Sequence, residues 1–159
     1  MKSITHTSIA AVLLVLGATA FQAAQAADTP STAQPTVSER MQNARDAIKA
    51  SKWQPAIAEL RIAVRDEPKN ADAHNLLAYS YRKQAKPDLA KAFEHYKTAL
   101  QLDPKHKGAH EYIGEAYLMD KKTAEAEKHL AELEKICGNK TCEEYADLAK
   151  AIAQFKAGK

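Results

Sequence analysis

The chain holds 159 residues, 23 of them Lys or Arg and 20 Asp or Glu, for a net charge of +3. Charge so near balance provides no electrostatic footprint for nucleic acid, and no block of like charges forms a membrane-binding tail. Ala, Lys, Glu and Leu dominate, which is helix-forming composition.

Residues 1–26 read as a cleaved export signal. Lys2 supplies a positive start, Ile9 to Leu16 an apolar run, and Ala24-Gln25-Ala26 a small-x-small cleavage site, with no Asp or Glu. The stretch is too short, with the wrong flanks, to stay as a membrane anchor. No Cys lies near the cut, so a lipid-modified N-terminus is not expected. The mature chain then begins at Ala27 in the periplasm, with 133 residues and 22 basic against 20 acidic groups. That is one domain's worth of chain, enough for a sizeable core.

Residues 27–37, ADTPSTAQPTV, are small, polar and Pro-containing, and read as a disordered leader. Ser38 is placed to cap a first helix over about Glu39 to Ala50. A second runs from Trp53 to Arg65, with Pro55 in its first turn and Ile57, Leu60, Ala63 and Val64 on one stripe. Pro68 closes it. Asn70 is placed to cap a third over Ala71 to Gln84, and Pro87 opens a fourth over Asp88 to Leu102, which Pro104 ends. A fifth covers Lys107 to Asp120 and a sixth Thr123 to Ile136. Thr141-x-x-Glu144 has the form of a capping box for a seventh over Cys142 to Phe155. No segment alternates with the period of a half-buried strand, so the expectation is an all-α chain.

The helices repeat. His74-x2-Leu77-Ala78-x2-Tyr81 returns 36 residues later as His110-x2-Ile113-Gly114-x2-Tyr117. Ala56/Leu60/Pro68 returns as Ala92/Tyr96/Pro104 and again as Ala126/Leu130/Gly138. With His or Arg in the Trp slot, this resembles the tetratricopeptide repeat pattern W-x2-L-G-x2-Y, A-x3-F, P. The spacing exceeds the usual 34 because residues near Gln84–Asp88 lengthen one turn. The resemblance implies a solenoid of about three helical hairpins over residues 38–138. Residues 139–159 supply a capping helix and tail that cover the last apolar face. Gly114, costly in mid-helix by about 1 kcal/mol relative to Ala, signals close helix approach.

Catalytic signatures are missing from the sequence: no Ser framed by glycines, no H-E-x-x-H helix and no Gly-rich loop before a Lys. A non-enzyme without cofactor is therefore expected. Cys137 and Cys142 in an exported chain are most simply one disulfide fixing the angle of the capping helix. A redox- or metal-handling role for that pair is the alternative, since Cys142 lies near a helix N-terminus. His106 and His110 are four apart, as a metal pair on a helix would be, but His74 and His110 fill the bulky repeat slot, where packing explains them better.

In tetratricopeptide repeats the first helix of each hairpin lines a concave face. The resemblance therefore places Arg45, Lys49, Asn75, Tyr79, Arg82, Lys83, Glu111 and Glu115 along a groove, basic at one end and acidic at the other. Such a groove suits an extended or helical peptide of complementary charge. The carboxylate clamp of chaperone-binding relatives is not reproduced, because Met41 and Arg45 stand where part of it would be. The expected protein is a monomeric periplasmic adaptor for a protein or peptide partner, without nucleic acid and without membrane insertion, serving assembly of an envelope complex.

Overall fold

The computed structural model describes residues 34–158; the signal segment and most of the expected leader lie outside them. Seven helices follow in order: α1 (Val37–Lys49), α2 (Trp53–Asp66), α3 (Ala71–Lys83), α4 (Leu89–Leu102), α5 (Lys107–Met119), α6 (Thr123–Cys137) and α7 (Glu143–Lys156). No strand occurs among the described residues.

Two caps differ from expectation. Thr36, not Ser38, caps α1: its hydroxyl accepts from Glu39 N while the Glu39 carboxylate accepts from Thr36 N at 2.7 Å. The reciprocal pair satisfies two orphan donors, so the helix starts two residues early and takes in the end of the expected leader. The box expected at Thr141 does not form. Thr141 Oγ1 donates to Asn139 Oδ1, and Cys142 is the cap residue of α7. The disulfide from Cys137 fixes Cys142 there, and the bond to Asn139 claims the hydroxyl that the box needed. Asn70 caps α3 as expected, accepting from Ala73 N, and Asp88 caps α4.

The turns inside the hairpins explain the irregular period. Residues 50–52 and 120–122 make three-residue turns, each with one left-handed residue, Ser51 (φ 54°) and Lys121 (φ 59°). A left-handed non-glycine costs roughly 1–2 kcal/mol. The five-residue turn at 84–88 avoids it, closing instead through Asp88 N and Gln84 Nε2, both donating to Tyr81 O.

α1, α3, α5 and α7 touch in succession and form one row. α2 wedges between α1 and α3, α4 between α3 and α5, and α6 between α5 and α7. The last helix is thus the fourth member of the inner row as well as a cover for α6. Small side chains make the spacing possible: Ala44, Ala56, Ala63, Ala73, Ala78, Ala92, Ala99, Ala109, Ala116 and Ala126 are all fully buried. Around them pack Leu60, Leu77, Tyr96 and Ile113. A second cluster, Leu118, Leu133, Leu148 and Ile152, seats α7 on α5 and α6. Leu133 occupies the position held by Ala63 and Ala99 in the earlier units, and its extra bulk fills space against α7.

Gly114 is where α7 comes closest. A Cβ there would lie 2.6 Å from Leu148 Cδ2 and 2.7 Å from its Cδ1, and Leu148 is itself fully buried. The overpacking cost of about 1–3 kcal/mol outweighs the roughly 1 kcal/mol of helix propensity that Ala gains over Gly. Gly114→Ala is therefore expected to lower stability by about 1 kcal/mol and loosen α7. In a Leu148→Ala background, itself costing about 2–5 kcal/mol, the same change should become neutral or stabilising. Urea unfolding of the four chains checks this double-mutant cycle; equal effects in both backgrounds would contradict it.

Candidate functional site

Each hairpin carries one polar contact across its two helices at the slot where the repeat pattern has Trp. In the first unit Arg40 Nη1 donates to Glu59 Oε2 at 2.9 Å. In the second, His74 Nδ1 lies 3.1 Å from His95 Nδ1; in the third, His110 Nδ1 lies 2.9 Å from His129 Nδ1. The partner always stands three residues after the Ala of the second helix: Glu59, His95 and His129.

The tautomers follow from the outer contacts. His74 Nε2 faces Pro68 O at 3.1 Å and His110 Nε2 faces Pro104 O at 3.0 Å. A carbonyl only accepts, so both Nε2 atoms carry the proton, both Nδ1 atoms accept, and His95 and His129 donate. Tyr81 stacks on His95 and Tyr117 on His129. His106 is elsewhere: its Nδ1 accepts from Ala109 N as the cap of α5, and its Nε2 meets Asp72 Oδ1 at 3.0 Å. His106 and His110 thus engage separate partners and do not converge on a common point.

Burial, then the neighbouring His110, holds His129 down at about 4, and burial likewise lowers His95. A depressed histidine makes a contribution to stability that is lost as pH falls from about 6.5 towards 4. Glu111 works in the opposite sense. Burial first, then Glu115, Asp147 and Glu144, pushes it up to about 8, so it favours the fold increasingly as pH falls from 8 towards 4.5. His129→Gln should gain stability relative to the parent as pH drops from 6.5 to 4.5. Glu111→Gln should gain as pH rises from 6.5 past 8. Denaturant midpoints across that range read both difference curves, and flat differences would contradict these environments.

The inner row brings most of the predicted groove residues together. Tyr79 packs on Tyr112, ring centroids 4.7 Å apart, and on Trp53 at 6.1 Å. Arg82 lies over both tyrosines, 5.3 and 5.7 Å from their centroids. It is 5% exposed, its Nε donates to the buried Tyr96 hydroxyl, and its Nη2 is 2.6 Å from Glu115 Oε2. That last approach is an ion contact without hydrogen-bond alignment. Arg45 faces Asp72 at 3.9 Å, a residue absent from the sequence-based set. Of the four expected cations, Lys49 and Lys83 are exposed without an ion-pair partner among the described residues. The basic end is therefore weaker than the residue types imply.

The acidic end is stronger. α7 adds Glu144 and Asp147 to Glu111 and Glu115, and these two residues were missed because a cover was expected from α7, not a groove wall. Asn75 and Glu111 occupy the same position in successive units; both are buried, and Asn75 Oδ1 has no partner. Removing Arg82 leaves the buried Tyr96 hydroxyl without its donor and the part-buried Glu115 without its ion partner, so Arg82→Ala should destabilise by about 1–3 kcal/mol. Lys83→Ala, one residue on, should stay within about 0.5 kcal/mol. Thermal unfolding of both variants separates the structural cation from the free one.

A surface cavity of about 620 Å³ opens at the long turn between α2 and α4, beside Gln54, Arg61, Gln84 and Lys91. Cys137 and Cys142 form a disulfide linking the end of α6 to the cap of α7, with Cα atoms 6.3 Å apart. Glu144 lies near both sulfurs, but disulfide sulfurs are not thiolates and make no metal site in this state.

Two tetratricopeptide-repeat family models match the chain, one over residues 41–106 and the other over 85–152. The chain belongs to the tetratricopeptide-repeat family. No curated protein sequence matches it. Among solved structures, it is similar to the TPR2B domain of yeast Sti1 in a pHsp70 complex (TM-score 0.69, 14% identity), covering 77% of this chain and 98% of that one. The first TPR of Spaghetti (RPAP3), bound to the HSP90 peptide SRMEEVD, matches with TM-score 0.66 and 20% identity, over 76% and 93% of the two chains. The Yersinia enterocolitica type III secretion translocator chaperone SycD matches with TM-score 0.65 and 16% identity, over 80% and 94%. At these identities the likeness is one of fold.

Proposed function

We propose that this protein is a non-catalytic adaptor that holds a protein or peptide partner along the inner row of helices. The observation that carries this reading is the face itself. Tyr79, Tyr112, Glu111 and Glu115 lie together on α3 and α5, flanked by Glu144 and Asp147 of α7, with Arg82 locked beneath them. Aromatic rings flanked by charge suit recognition of an extended chain, with area from the rings and register from the charges. Relatives of the same fold are seen with pHsp70 and with the peptide SRMEEVD, which supports a polypeptide ligand here. That peptide is acidic, whereas this face carries Glu115, Glu144 and Asp147 towards its α7 end, where a partner of the same charge would be repelled.

Export to the periplasm belongs to this reading and rests on Lys2, the apolar run Ile9 to Leu16 and the Ala24-Gln25-Ala26 site. The disulfide joining α6 to α7 is in keeping with an oxidising compartment. A monomeric adaptor in an envelope assembly completes the proposal.

A photo-crosslinking residue replacing Tyr79 in living cells, compared with one replacing the exposed Ala90 on α4, tests the assignment. Specific adducts from position 79 alone are expected, on a chain whose N-terminus is Ala27. No adduct, or the same adducts from both positions, would contradict the groove.

A further inference from the structure

We propose that the cavity at the 84–88 turn binds a small organic anion, Arg61 and Lys86 meeting its oxyanion group and Ile57 and Tyr81 its apolar body. The proposal goes beyond the adaptor reading and does not depend on it. The cavity exists because one turn is long. Turns 50–52 and 120–122 join their helices with three residues, whereas 84–88 uses five and brings Lys86 and Pro87 to the rim. Its volume, about 620 Å³, is in the range that holds a small organic molecule. The buried Ile57 and Tyr81 form part of its lining, together with Leu89.

The charges around the cavity do not balance. Arg61 from α2, Lys86 from the turn and Lys91 from α4 line it, against Asp88 alone. Asp88 is already spent: one oxygen accepts from Lys91 N and the other from Lys91 Nζ at 2.7 Å. Arg61 and Lys86 have neither an ion-pair nor a hydrogen-bond partner among the described residues. Lys91 is held above its usual range first by its bond to Asp88, and Arg61 opposes that shift, so the two cations lie within electrostatic reach of each other. An anion between them relieves that repulsion. Exposed cations alone would be an ordinary solvated face. These share one concavity with an apolar lining, where a guanidinium fork and an ammonium can close on one oxyanion.

Neutral donors stand at the same rim. Gln54 Nε2 donates to Gln84 Oε1 at 2.6 Å, and Gln84 Nε2 donates to Tyr81 O, which leaves one N–H on each amide free for an acceptor. Lys91 Nζ lies 5.2 Å from the Tyr81 ring centroid, so cation and ring sit side by side in the lining. The Leu89 and Ala90 N–H groups, at the start of α4, also lack acceptors among the described residues, and that helix end adds to the preference for negative charge. The amide bridge lines a second cavity too, of about 340 Å³ beside Trp53, and so marks the boundary between the two. An occupant held between α2, α4 and that bridge is compact: a phosphate or carboxylate head on a body the size of a single ring.

Phenyl phosphate and phthalate, titrated into the disulfide-intact chain and followed by amide NMR, test this. At least one should bind, shifting the Gln54 and Gln84 side-chain amides and the Leu89 and Ala90 backbone amides. The tighter of the two names the head group as phosphate or carboxylate. Arg61→Gln and Lys86→Gln should each weaken binding about tenfold with the helical signal intact. Lys97→Gln, on the exposed face of α4, should leave it unchanged. The free head group, inorganic phosphate or acetate, should bind about tenfold more weakly than the aryl anion that carries it, for want of an apolar body. The proposal is overturned if neither aryl anion binds, if Lys97→Gln weakens binding as much as Arg61→Gln, or if the free head group binds as tightly. It is overturned too if benzylamine, a cation of similar size, binds equally. Ala90 borders the cavity, but a small anion yields no protein adduct there, so the crosslinking comparison of positions 79 and 90 stands or falls separately.

Discussion

Close approach of helices over small side chains is the constraint on which the rest of this structure depends. Ten alanines have no exposed surface, and Gly114 leaves no room for even a methyl group beneath Leu148. Each such contact forfeits side-chain area that a Leu would bury, but it lets neighbouring backbones come near enough for the larger residues to interlock around them. The row α1, α3, α5, α7 follows from that spacing. So does the identity of the residues left facing along it.

A second device holds each hairpin closed. Where the repeat pattern has a Trp, this chain has Arg40, His74 and His110, and each finds a polar partner on the opposite helix. The two histidines also anchor the preceding turn through the Pro68 and Pro104 carbonyls, so one ring ties three segments. Directional bonds replace part of the area a Trp would have buried, and they fix register as well as distance. These histidines are therefore structural, with both ring nitrogens satisfied.

Helix order, and most helix boundaries to within a residue or two, could be read from the chain, because Pro68, Pro104, Asn70 and the 36-residue recurrence are local signals. Caps were less legible. Thr36 and Ser38 are equally plausible by type, and Thr141 loses its role to a contact with Asn139 and to the disulfide at the next residue. The groove was half legible. Repeat position placed Tyr79, Glu111 and Glu115 on one face, but it carries no information on which charges pair. Arg82 pairs with Glu115, and Arg45 faces Asp72 at 3.9 Å. Glu144 and Asp147 were hidden because α7 lacks the motif that recurs in the earlier helices, and its packing on α5 is what brings those acids near Glu111. The cross-hairpin pairs left a trace that could have been followed, a polar residue three after each second-helix Ala.

The functional reading accordingly turns on α7. As a plain end cover it would leave the inner row three helices long; as a fourth member it brings Glu144 and Asp147 near Glu111 and Glu115. The most direct measurement is a nuclear Overhauser spectrum of the oxidised full-length protein, read between Gly114 Hα and the Leu148 methyls. Strong cross-peaks, with α7 relaxing at the rate of α3 and α5, are the predicted result. Missing cross-peaks, with α7 tumbling faster than the hairpins, would contradict the account at its root.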